Sequence, residues 1–513
     1  MDQKQNTPRR PGKPADFGNG NKDHRAPRAD RGSFRRDKDN RHGMDSRRSA
    51  GNRRGANERR SMDNRRPQGP SARDVALLAF RDVARSGAYA AQALDRRLRD
   101  AQLSDADRRL AASLFYFTVE NWLRIEGLIL ERVKSRPEPE IMEIMDVAAA
   151  QLLFMDRVPD HAAVDEAVKQ ARRAGHESMT ALVNGVLRNL IRARDAGEIQ
   201  PPEGDAVQRI SWQYSLRPEL AQALIEAYGA ATAEAIAAWR PDHASESIRP
   251  NRLKFSDAEF QAWLDAQNLK WTRGVVPGAY RVADAGRLAA HEGYRKGLFS
   301  IQGESSMLAA LAVSPRPGMQ VLDACAAPGG KSCLMAEMMR GAGRVFAWDL
   351  HEHRVELIRA AARRLELDNI RPQVRDASKR SDALEGTLNA VLVDAPCSGV
   401  GVMGDKPDIK YRFRMEDARA LEKVQTDILD ACARLVRVGG LLVYSTCTIL
   451  PGENRDQIAA FLERHSEFEP DNGKEWLPET LRGAYQGGML QILPSRDGLD
   501  GFFIARLRRK ADR

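Results

Sequence analysis

Two cysteines follow apolar segments that have the residue types of buried strands. Cys397 lies in the turn formed by residues 394–399, directly after the segment 390–393. Cys447 follows the similar segment 440–446, 50 residues later. If these strands are neighbours in an open α/β sheet, both thiols face one crevice at its carboxyl edge. Free cysteine is often a buried core residue, but Asp394, Pro396, Ser398 and Thr446 beside these two are poor core residues. We therefore predict a reactive site that contains both thiols.

A turn of small residues forms a second candidate site. Residues 321–324 have the pattern of a strand, and a helix is predicted to begin after Cys325, Ala326, Ala327, Pro328, Gly329, Gly330 and Lys331. Small side chains let a ligand approach the backbone, and a helix N-terminus presents free N–H groups. A Walker A phosphate loop would have glycine in place of Cys325, and Pro328 removes an amide that a phosphate needs. The turn therefore predicts a nucleoside site without pyrophosphate-binding residues.

Aspartates end four successive predicted strands, at Asp323, Asp349, Asp376 and Asp394. A carboxylate at the end of the second strand accepts hydrogen bonds from ribose hydroxyls, which is the role that we predict for Asp349. Asp376 can accept a hydrogen bond from an adenine amino group. One such aspartate alone would be a helix cap or a turn residue, but four at successive strand ends indicate one ligand crevice. S-Adenosylmethionine fits this crevice because it has an adenosine, ribose hydroxyls and no phosphate.

The elements that must position these residues belong to a multidomain chain of 513 residues. Strand and helix patterns alternate from Met319 to Arg508, which predicts a doubly wound parallel sheet in a Rossmann-like α/β domain of residues 307–510. Residues 71–235 have helical periodicity throughout, and residues 240–306 read as a small α+β unit. Residues 1–70 hold 20 Lys and Arg against 9 Asp and Glu and only two aromatic residues. This composition predicts a disordered basic tail that either binds RNA or only keeps the protein soluble.

Several classes of protein are excluded by composition. The sequence has no apolar run of about eighteen residues and no hydrophobic segment near residue 1, so we expect neither a membrane span nor a secretory signal. The five cysteines are an odd number without CxxC or Cys/His spacing, which argues against a disulfide framework or a structural zinc. A reducing compartment fits this cysteine usage best.

These motifs together resemble the RsmB-type (Sun/Nop family) RNA cytosine-5 methyltransferases. The similar segments are residues 325–331, 394–399, 407–410, 445–448 and 451–454. In the helical part, residues 73–77, 163–168 and 183–190 look like the NusB-like RNA-binding domain that precedes the catalytic domain in one group of these enzymes. The resemblance implies a class I fold, S-adenosylmethionine as cofactor, the bacterial cytoplasm, and 16S ribosomal RNA as substrate, with transfer RNA left open. No metal is expected, and the sequence leaves the oligomeric state open, with a monomer favoured.

The resemblance also implies a covalent mechanism. Carbon 5 of cytosine is a poor nucleophile, so an enzyme first adds a thiolate to carbon 6. By similarity, Cys447 is this nucleophile and Cys397 assists product release, while Asp394 binds the cytosine edge and Lys331 orients the site. The residues themselves do not choose between the cysteines, because DNA cytosine methyltransferases use the cysteine of a Pro-Cys pair, which would be Cys397.

The chain departs from the family pattern at three places. Gly303 and Glu304 stand where Gln-Asp is usual, Thr448 replaces a serine, and Pro250 replaces an aliphatic residue. These positions concern RNA positioning more than catalysis. Two other functions stay open: a non-catalytic RNA-binding or assembly factor, which has no need of two cysteines beside a nucleoside site, and an amine methyltransferase, which would carry a motif such as Asn-Pro-Pro-Tyr at residues 394–397.

Overall fold

The structure is a computed structural model and describes residues 69–242, 245–283 and 288–511. The predicted disordered basic tail lies outside the described residues, except for its last two positions. Within the described ranges, no helix combines the length and the apolar character that crossing a membrane requires.

The first part of the described chain is helical. Ser71 caps the first helix, because its hydroxyl accepts from the amide of Asp74 and the Asp74 carboxylate accepts from the amide of Ser71. The fifth helix is apolar on all sides and is therefore buried in the centre of this region. The helices of this region, which we call the helical region, are α1 (Ala72–Ser86), α2 (Ala90–Asp100), α3 (Asp105–Glu120), α4 (Trp122–Leu130), α5 (Pro139–Phe154), α6 (Asp160–Arg173), α7 (Thr180–Asp195), α8 (Ala206–Tyr214), α9 (Pro218–Tyr228) and α10 (Ala230–Ala238).

A small antiparallel sheet with two helices follows. Its elements are β1 (Ser245–Pro250), α11 (Asp257–Ala266), β2 (Lys270–Arg273), β3 (Tyr280–Ala283), α12 (Glu292–Arg295) and β4 (Phe299–Ile301). The strand order is β2-β3-β1-β4. Aromatic side chains of α11, β3 and β4, among them Phe260 and Phe299, pack together with buried aliphatic residues such as Ile248 and Leu264 as its core.

The remaining elements form the large sheet and its covering helices. In chain order they are α13 (Glu304–Ala312), β5 (Gln320–Asp323), α14 (Gly330–Met338), β6 (Arg344–Asp349), α15 (Glu352–Leu365), β7 (Ile370–Val374), β8 (Leu388–Asp394), α16 (Ile409–Arg412), α17 (Met415–Ala433), β9 (Val436–Thr446), α18 (Arg455–Arg464), β10 (Phe468–Pro470), β11 (Tyr485–Gln486), β12 (Met489–Ile492), α19 (Pro494–Asp497) and β13 (Phe502–Arg509).

The large sheet confirms the predicted fold class and corrects one feature of it. Strands run in the order β11-β12-β13-β9-β8-β5-β6-β7, and the five from β9 to β7 are parallel. The sheet is nevertheless mixed, because β13 runs antiparallel to β9 and to β12. The link from β12 to β13 is too short for the crossover that a parallel pair requires. The order reverses at β5, so the crevice lies beyond the carboxyl ends of β5 and β8.

A buried ion pair joins the small sheet to the large one. Arg249 of β1 donates to Glu337 of α14 across 2.6 Å, and these side chains are 1% and 0% exposed. The same guanidinium donates to Gln302 at 2.7 Å. Because α14 begins at the small-residue turn, this pair fixes the helix that carries the candidate cofactor site.

Candidate active site

The two predicted thiols meet at the carboxyl edge of the large sheet. Strands β8 and β9 are parallel neighbours, with Asp394 in register with Ser445. The chain turns after each strand and brings the sulfur atoms of Cys397 and Cys447 to 3.4 Å, within hydrogen-bond distance. Both cysteines line one cavity of about 820 Å³. The residues on which the sequence argument centred are therefore adjacent in space.

The surroundings of the two thiols differ, and so does their acidity. The hydrogen bond with Cys397 lowers the pKa of Cys447 below that of an ordinary thiol, and the ammonium groups of Lys406 and Lys331 act in the same direction, whereas burial and the Asp394 carboxylate oppose this shift. The same hydrogen bond raises the pKa of Cys397 well above the ordinary value, and burial and the Glu453 carboxylate reinforce that rise. Of the two thiols, Cys447 is therefore the one whose surroundings favour ionisation, and those of Cys397 favour the protonated form.

The three remaining cysteines are poor nucleophiles. Burial raises the pKa of Cys333 and of Cys432 to about 12. Burial also raises the pKa of Cys325 well above the ordinary value, although this residue lines the cavity. Cys447 is thus the one cysteine of the five whose surroundings lower its pKa.

Asp394 and Lys331 form an ion pair beside the thiols. The Lys331 ammonium lies 2.8 Å from the Asp394 carboxylate, whose other oxygen accepts from the Ser445 hydroxyl at 2.8 Å. Burial alone would lower the pKa of Lys331, but Asp394 raises it overall. The ammonium also lies 5.7 Å from the centre of the Phe502 ring. Lys331 is therefore a fixed positive charge within the cavity.

The small-residue turn also lines the cavity, through Cys325, Ala327 and Pro328, and so do Asp349 and Asp376. Asp349 accepts from the amides of Ala327 and His351, each at 3.3 Å. Asp376 accepts from the hydroxyl of Ser378 at 2.6 Å, and this bond lowers its pKa. Both carboxylates stand at strand ends, where the sequence predicted them.

Other residues of the predicted site support the turn from behind. The amide of Ala326 donates to the Trp348 carbonyl at 2.7 Å. Gly329 has a φ of 106°, and a Cβ on it would come within 3.2 Å of the backbone of Ile358 in α15. Gly330 begins α14. These three residues shape the backbone of the turn and do not line the cavity.

Asp323 departs from the prediction. Its side chain is fully buried and accepts from the Ser332 hydroxyl at 2.6 Å, behind the turn. Burial raises the pKa of Asp323 to about 7. Three of the four aspartates at strand ends therefore share the cavity, and the fourth anchors the helix that follows the turn.

The cavity fits the predicted S-adenosylmethionine. Its volume lies in the range of sites that enclose a ligand of this size. Carboxylates at the ends of β6 and β7 can accept from ribose hydroxyls and from an adenine amino group. No group of three or more His, Cys, Asp or Glu side chains with the geometry of a metal site occurs within the described ranges.

A buried polar network that the sequence argument missed holds the Cys397 turn. Glu453 is fully buried and accepts from the amide of Ser398 at 2.9 Å, from the Ser398 hydroxyl and from the Gln425 amide group at 2.9 Å. Thr448 exchanges a hydrogen bond with the same hydroxyl at 2.8 Å. In the sequence, this network is marked only by the motif at residues 451–454, which resembles the family pattern. Lys406, Asp405 and Asp500 also line the cavity without having been predicted.

Comparisons with known proteins agree with the two-part organisation. The family model described as 16S rRNA methyltransferase RsmB/F matches residues 310–508, and that of the NusB family matches residues 70–192. A probable ribosomal RNA small subunit methyltransferase B from Bacillus subtilis (strain 168) is 37% identical over 448 residues, which are 86% of this chain and 99% of that protein. Ribosomal RNA small subunit methyltransferase B of Shewanella oneidensis is 31% identical over 85% and 98%. The predicted resemblance is confirmed.

Solved structures show the same fold. The crystal structure of PH0851 covers 86% of this chain and 98% of its own, with a TM-score of 0.72 and 25% identity. The crystal structure of NSun6 from Pyrococcus horikoshii with SFG, an analogue of S-adenosylmethionine, covers 58% of this chain and 99% of its own with a TM-score of 0.52 and 20% identity. The predicted class of fold agrees with these neighbours.

Proposed function

The chain belongs to the family of 16S rRNA methyltransferases RsmB/F, and we propose that it methylates carbon 5 of a cytosine in small-subunit ribosomal RNA through a covalent adduct to Cys447. S-Adenosylmethionine is the cofactor, and when bound it supplies an electrophilic methyl group. A small-subunit RNA substrate is what the relatives' names support, and such a reaction belongs in the cytoplasm.

One observation carries the proposal. Two thiols, one with a lowered pKa and one with a raised pKa, lie 3.4 Å apart in the cavity that fits the cofactor. Cytosine-5 methylation needs one sulfur that attacks carbon 6 and a way to expel that sulfur afterwards. Cys447 suits the first task because the Cys397 hydrogen bond and two nearby ammonium groups lower its pKa. A non-catalytic RNA-binding protein would have no use for this asymmetry.

Different residues of the cavity take part in different steps of the proposed reaction. The Cys447 thiolate forms a bond to carbon 6, which makes carbon 5 nucleophilic enough to accept the methyl group, and the sulfonium that supplies this group would be left as a neutral thioether. Loss of the carbon-5 proton to a base restores the double bond while the carbon–sulfur bond breaks. As the sulfur leaves, the Cys397 thiol can again donate a hydrogen bond to it, so the hydrogen bond that lowers the Cys447 pKa also assists release of the product.

Asp394 and Lys331 are proposed to hold the target base. The Asp394 carboxylate is fixed by Lys331 and Ser445 and stands at the carboxyl end of β8, within the cavity that holds the thiols. A carboxylate there can accept from the cytosine amino group, whereas uracil presents a carbonyl in its place. The target base must leave its stack to enter, at a cost of a few kcal/mol that is lowest in a loop or bulge.

The test uses RNA that contains 5-fluorocytosine, whose carbon-5 substituent cannot leave as a proton. With S-adenosylmethionine present, the wild-type chain should form an adduct that survives denaturing electrophoresis, and peptide mass spectrometry should place it on Cys447. Cys447→Ala should abolish the adduct, and Cys397→Ala should retain it. Cys432→Ala, a buried cysteine outside the cavity, is the matched control and should behave as wild type.

Two results would contradict the proposal. Trapping that is lost in Cys397→Ala and kept in Cys447→Ala would exchange the roles of the cysteines. Absence of an adduct with every small-subunit RNA fragment, while methyl transfer to that RNA still occurs, would show a different acceptor atom.

A further inference from the structure

Residues 404–413, which we call the strap, run from the active-site cavity to the helical region. At one end, Asp405 and Lys406 line the cavity that holds both thiols. At the other end, α16 contacts α4, α8, the residue before α9 and the turn between α1 and α2. The segment 407–410, one of those that resemble the family pattern, lies between these two ends.

The helical region holds the strap through buried contacts. Lys410 is 1% exposed, and its ammonium donates to the Tyr214 carbonyl at 3.4 Å. The amide of Arg217 donates to the carbonyl of Lys410 at 3.1 Å. The ring of Tyr411 lies 4.8 Å from that of Trp122, nearly perpendicular to it. Each of these contacts joins the strap to the helical region.

The last residues of the strap are anchored in the same way. Arg412 donates to the carbonyls of Gly87 and Ala88, the latter at 2.9 Å, and its guanidinium lies 4.9 Å from the centre of the Tyr89 ring. At the other end, Gly404 packs so closely on Trp239 that a Cβ would come within 2.7 Å of the indole. The helical region therefore holds the strap at both ends.

The strap is stiff enough to transmit these contacts. Successive backbone hydrogen bonds run from Lys406 to Val402, from Ile409 to Lys406, and from Arg412 to Asp408, at 2.9 to 3.1 Å. Ile409 also packs on Gly399, where a Cβ would lie 3.2 Å from its side chain. The position of Lys406 therefore depends on where α16 is held.

We propose that the helical region, through Lys410 and Arg412 of the strap, positions Lys406 beside Cys447 and so sets the reactivity of the nucleophile. The helical region then completes the catalytic cavity in addition to any RNA that it binds. Lys410 and Arg412 are positioning residues in this proposal, since neither lines the cavity. The inference rests on the proposed function for the role of Cys447, but its principal readout needs no RNA.

Two observations support the direction of the effect. The Lys406 ammonium is one of the charges that lower the pKa of Cys447. Burial lowers the pKa of Lys410 to about 7. The Lys410 amino group, in contact with the Tyr214 carbonyl, is therefore held away from water. If the strap were released, Lys406 would move into solvent, where its field at the thiol is screened.

The experiment measures the rate at which iodoacetamide alkylates Cys447 as a function of pH, in the full chain, with peptide mass spectrometry to separate this cysteine from Cys397. Arg412→Ala should slow alkylation at pH 7 by about threefold, which corresponds to a rise of about half a pKa unit. Lys410→Met should act in the same direction. Arg419→Ala, an exposed arginine of α17 outside the strap, is the matched control and should leave the profile unchanged.

A double-mutant cycle tests the route through Lys406. Lys406→Met should slow alkylation at least as much as Arg412→Ala, and the double variant should be no slower than Lys406→Met alone. S-Adenosylmethionine affinity, measured by calorimetry, should change less than twofold in Arg412→Ala, because Arg412 does not line the cavity. A variant that is only unstable would lose affinity and alkylation together.

Additive effects in the cycle, or an unchanged alkylation profile in both Arg412→Ala and Lys410→Met, would overturn the proposal. Failure of the proposed function gives a different pattern. If 5-fluorocytosine RNA is not trapped but alkylation still responds to the strap variants, the strap sets the acidity of Cys447 and the cytosine chemistry is wrong.

Discussion

Arg249→Met should destabilise the folded chain because it leaves a buried carboxylate without its counter-ion. The Arg249–Glu337 pair is 2.6 Å long, and its side chains are 1% and 0% exposed. Loss of one partner of such a pair costs about 3–5 kcal/mol, whereas an exposed pair contributes about 0–1 kcal/mol. The amide of Arg252 still donates to the same Glu337 oxygen at 3.2 Å, which favours the lower end, about 3 kcal/mol.

The assay is urea unfolding of the full chain followed by circular dichroism, with the free energy of unfolding extrapolated to water. Arg252→Met is the matched control, because this arginine lies three residues further on and its side chain is exposed. It should change the free energy of unfolding by less than about 0.5 kcal/mol. The double variant Arg249→Met with Glu337→Gln should recover at least half of the loss, since the buried charge is then removed.

A loss below about 1 kcal/mol in Arg249→Met would refute the reasoning, because it would mean that Glu337 finds water or another donor when the arginine is absent. A double variant that is as unstable as the single one would also refute it. In that case the cost would come from altered packing between β1 and α14 and not from the unpaired charge.

Three further predictions concern other sites. Burial raises the pKa of Asp323 to about 7, so the folded chain keeps a proton that the unfolded chain loses near pH 4. The free energy of unfolding should therefore fall as pH rises from about 4 to about 7, and Asp323→Asn should flatten that part of the profile. Burial opposes the rise in the pKa of His465, but hydrogen bonds to two carboxylates raise it overall. The stabilisation by His465 should be complete below about pH 6.5 and be lost as pH rises through its folded pKa, and a His465→Gln profile that kept this step would contradict the assignment. Gly401→Ala would push a methyl group into the carbonyl of Gly501 and should cost about 1–3 kcal/mol and abolish trapping, whereas Gly185→Ala, at an open helical position, should stabilise by about 0.5–1 kcal/mol in thermal unfolding.

The sequence was sufficient to predict that Cys397 and Cys447 meet, because two apolar strands with polar turns at their carboxyl ends have few arrangements in a parallel sheet. It was not sufficient to decide which sulfur ionises. That depends on the hydrogen bond between the two thiols, on burial and on charges from other segments, such as Lys406 near Cys447 and Glu453 near Cys397. The resemblance to the methyltransferase family implies that Cys447 is the nucleophile. The local charges favour ionisation of the same residue.

Asp323 shows a different limit of sequence reasoning. Its position at a strand end matched that of the other aspartates. The Ser332 hydroxyl, however, donates a hydrogen bond to its carboxylate and holds it behind the turn. Whether a side chain at a strand end points into the crevice or under the next helix depends on one such partner. The direction of β13 was missed for a related reason, since strand periodicity is the same in parallel and antiparallel pairs.

The place of β13 in the large sheet has a consequence for how the protein is made. The last strand of the chain, Phe502–Arg509, inserts between β9 and β12. A ribosome that has not yet released these residues therefore exposes an incomplete sheet, in which β9 is an unpaired edge able to recruit strands from other chains. Biogenesis must protect this edge until β13 has left the ribosome, and the cavity, one wall of which is Phe502, is finished only then.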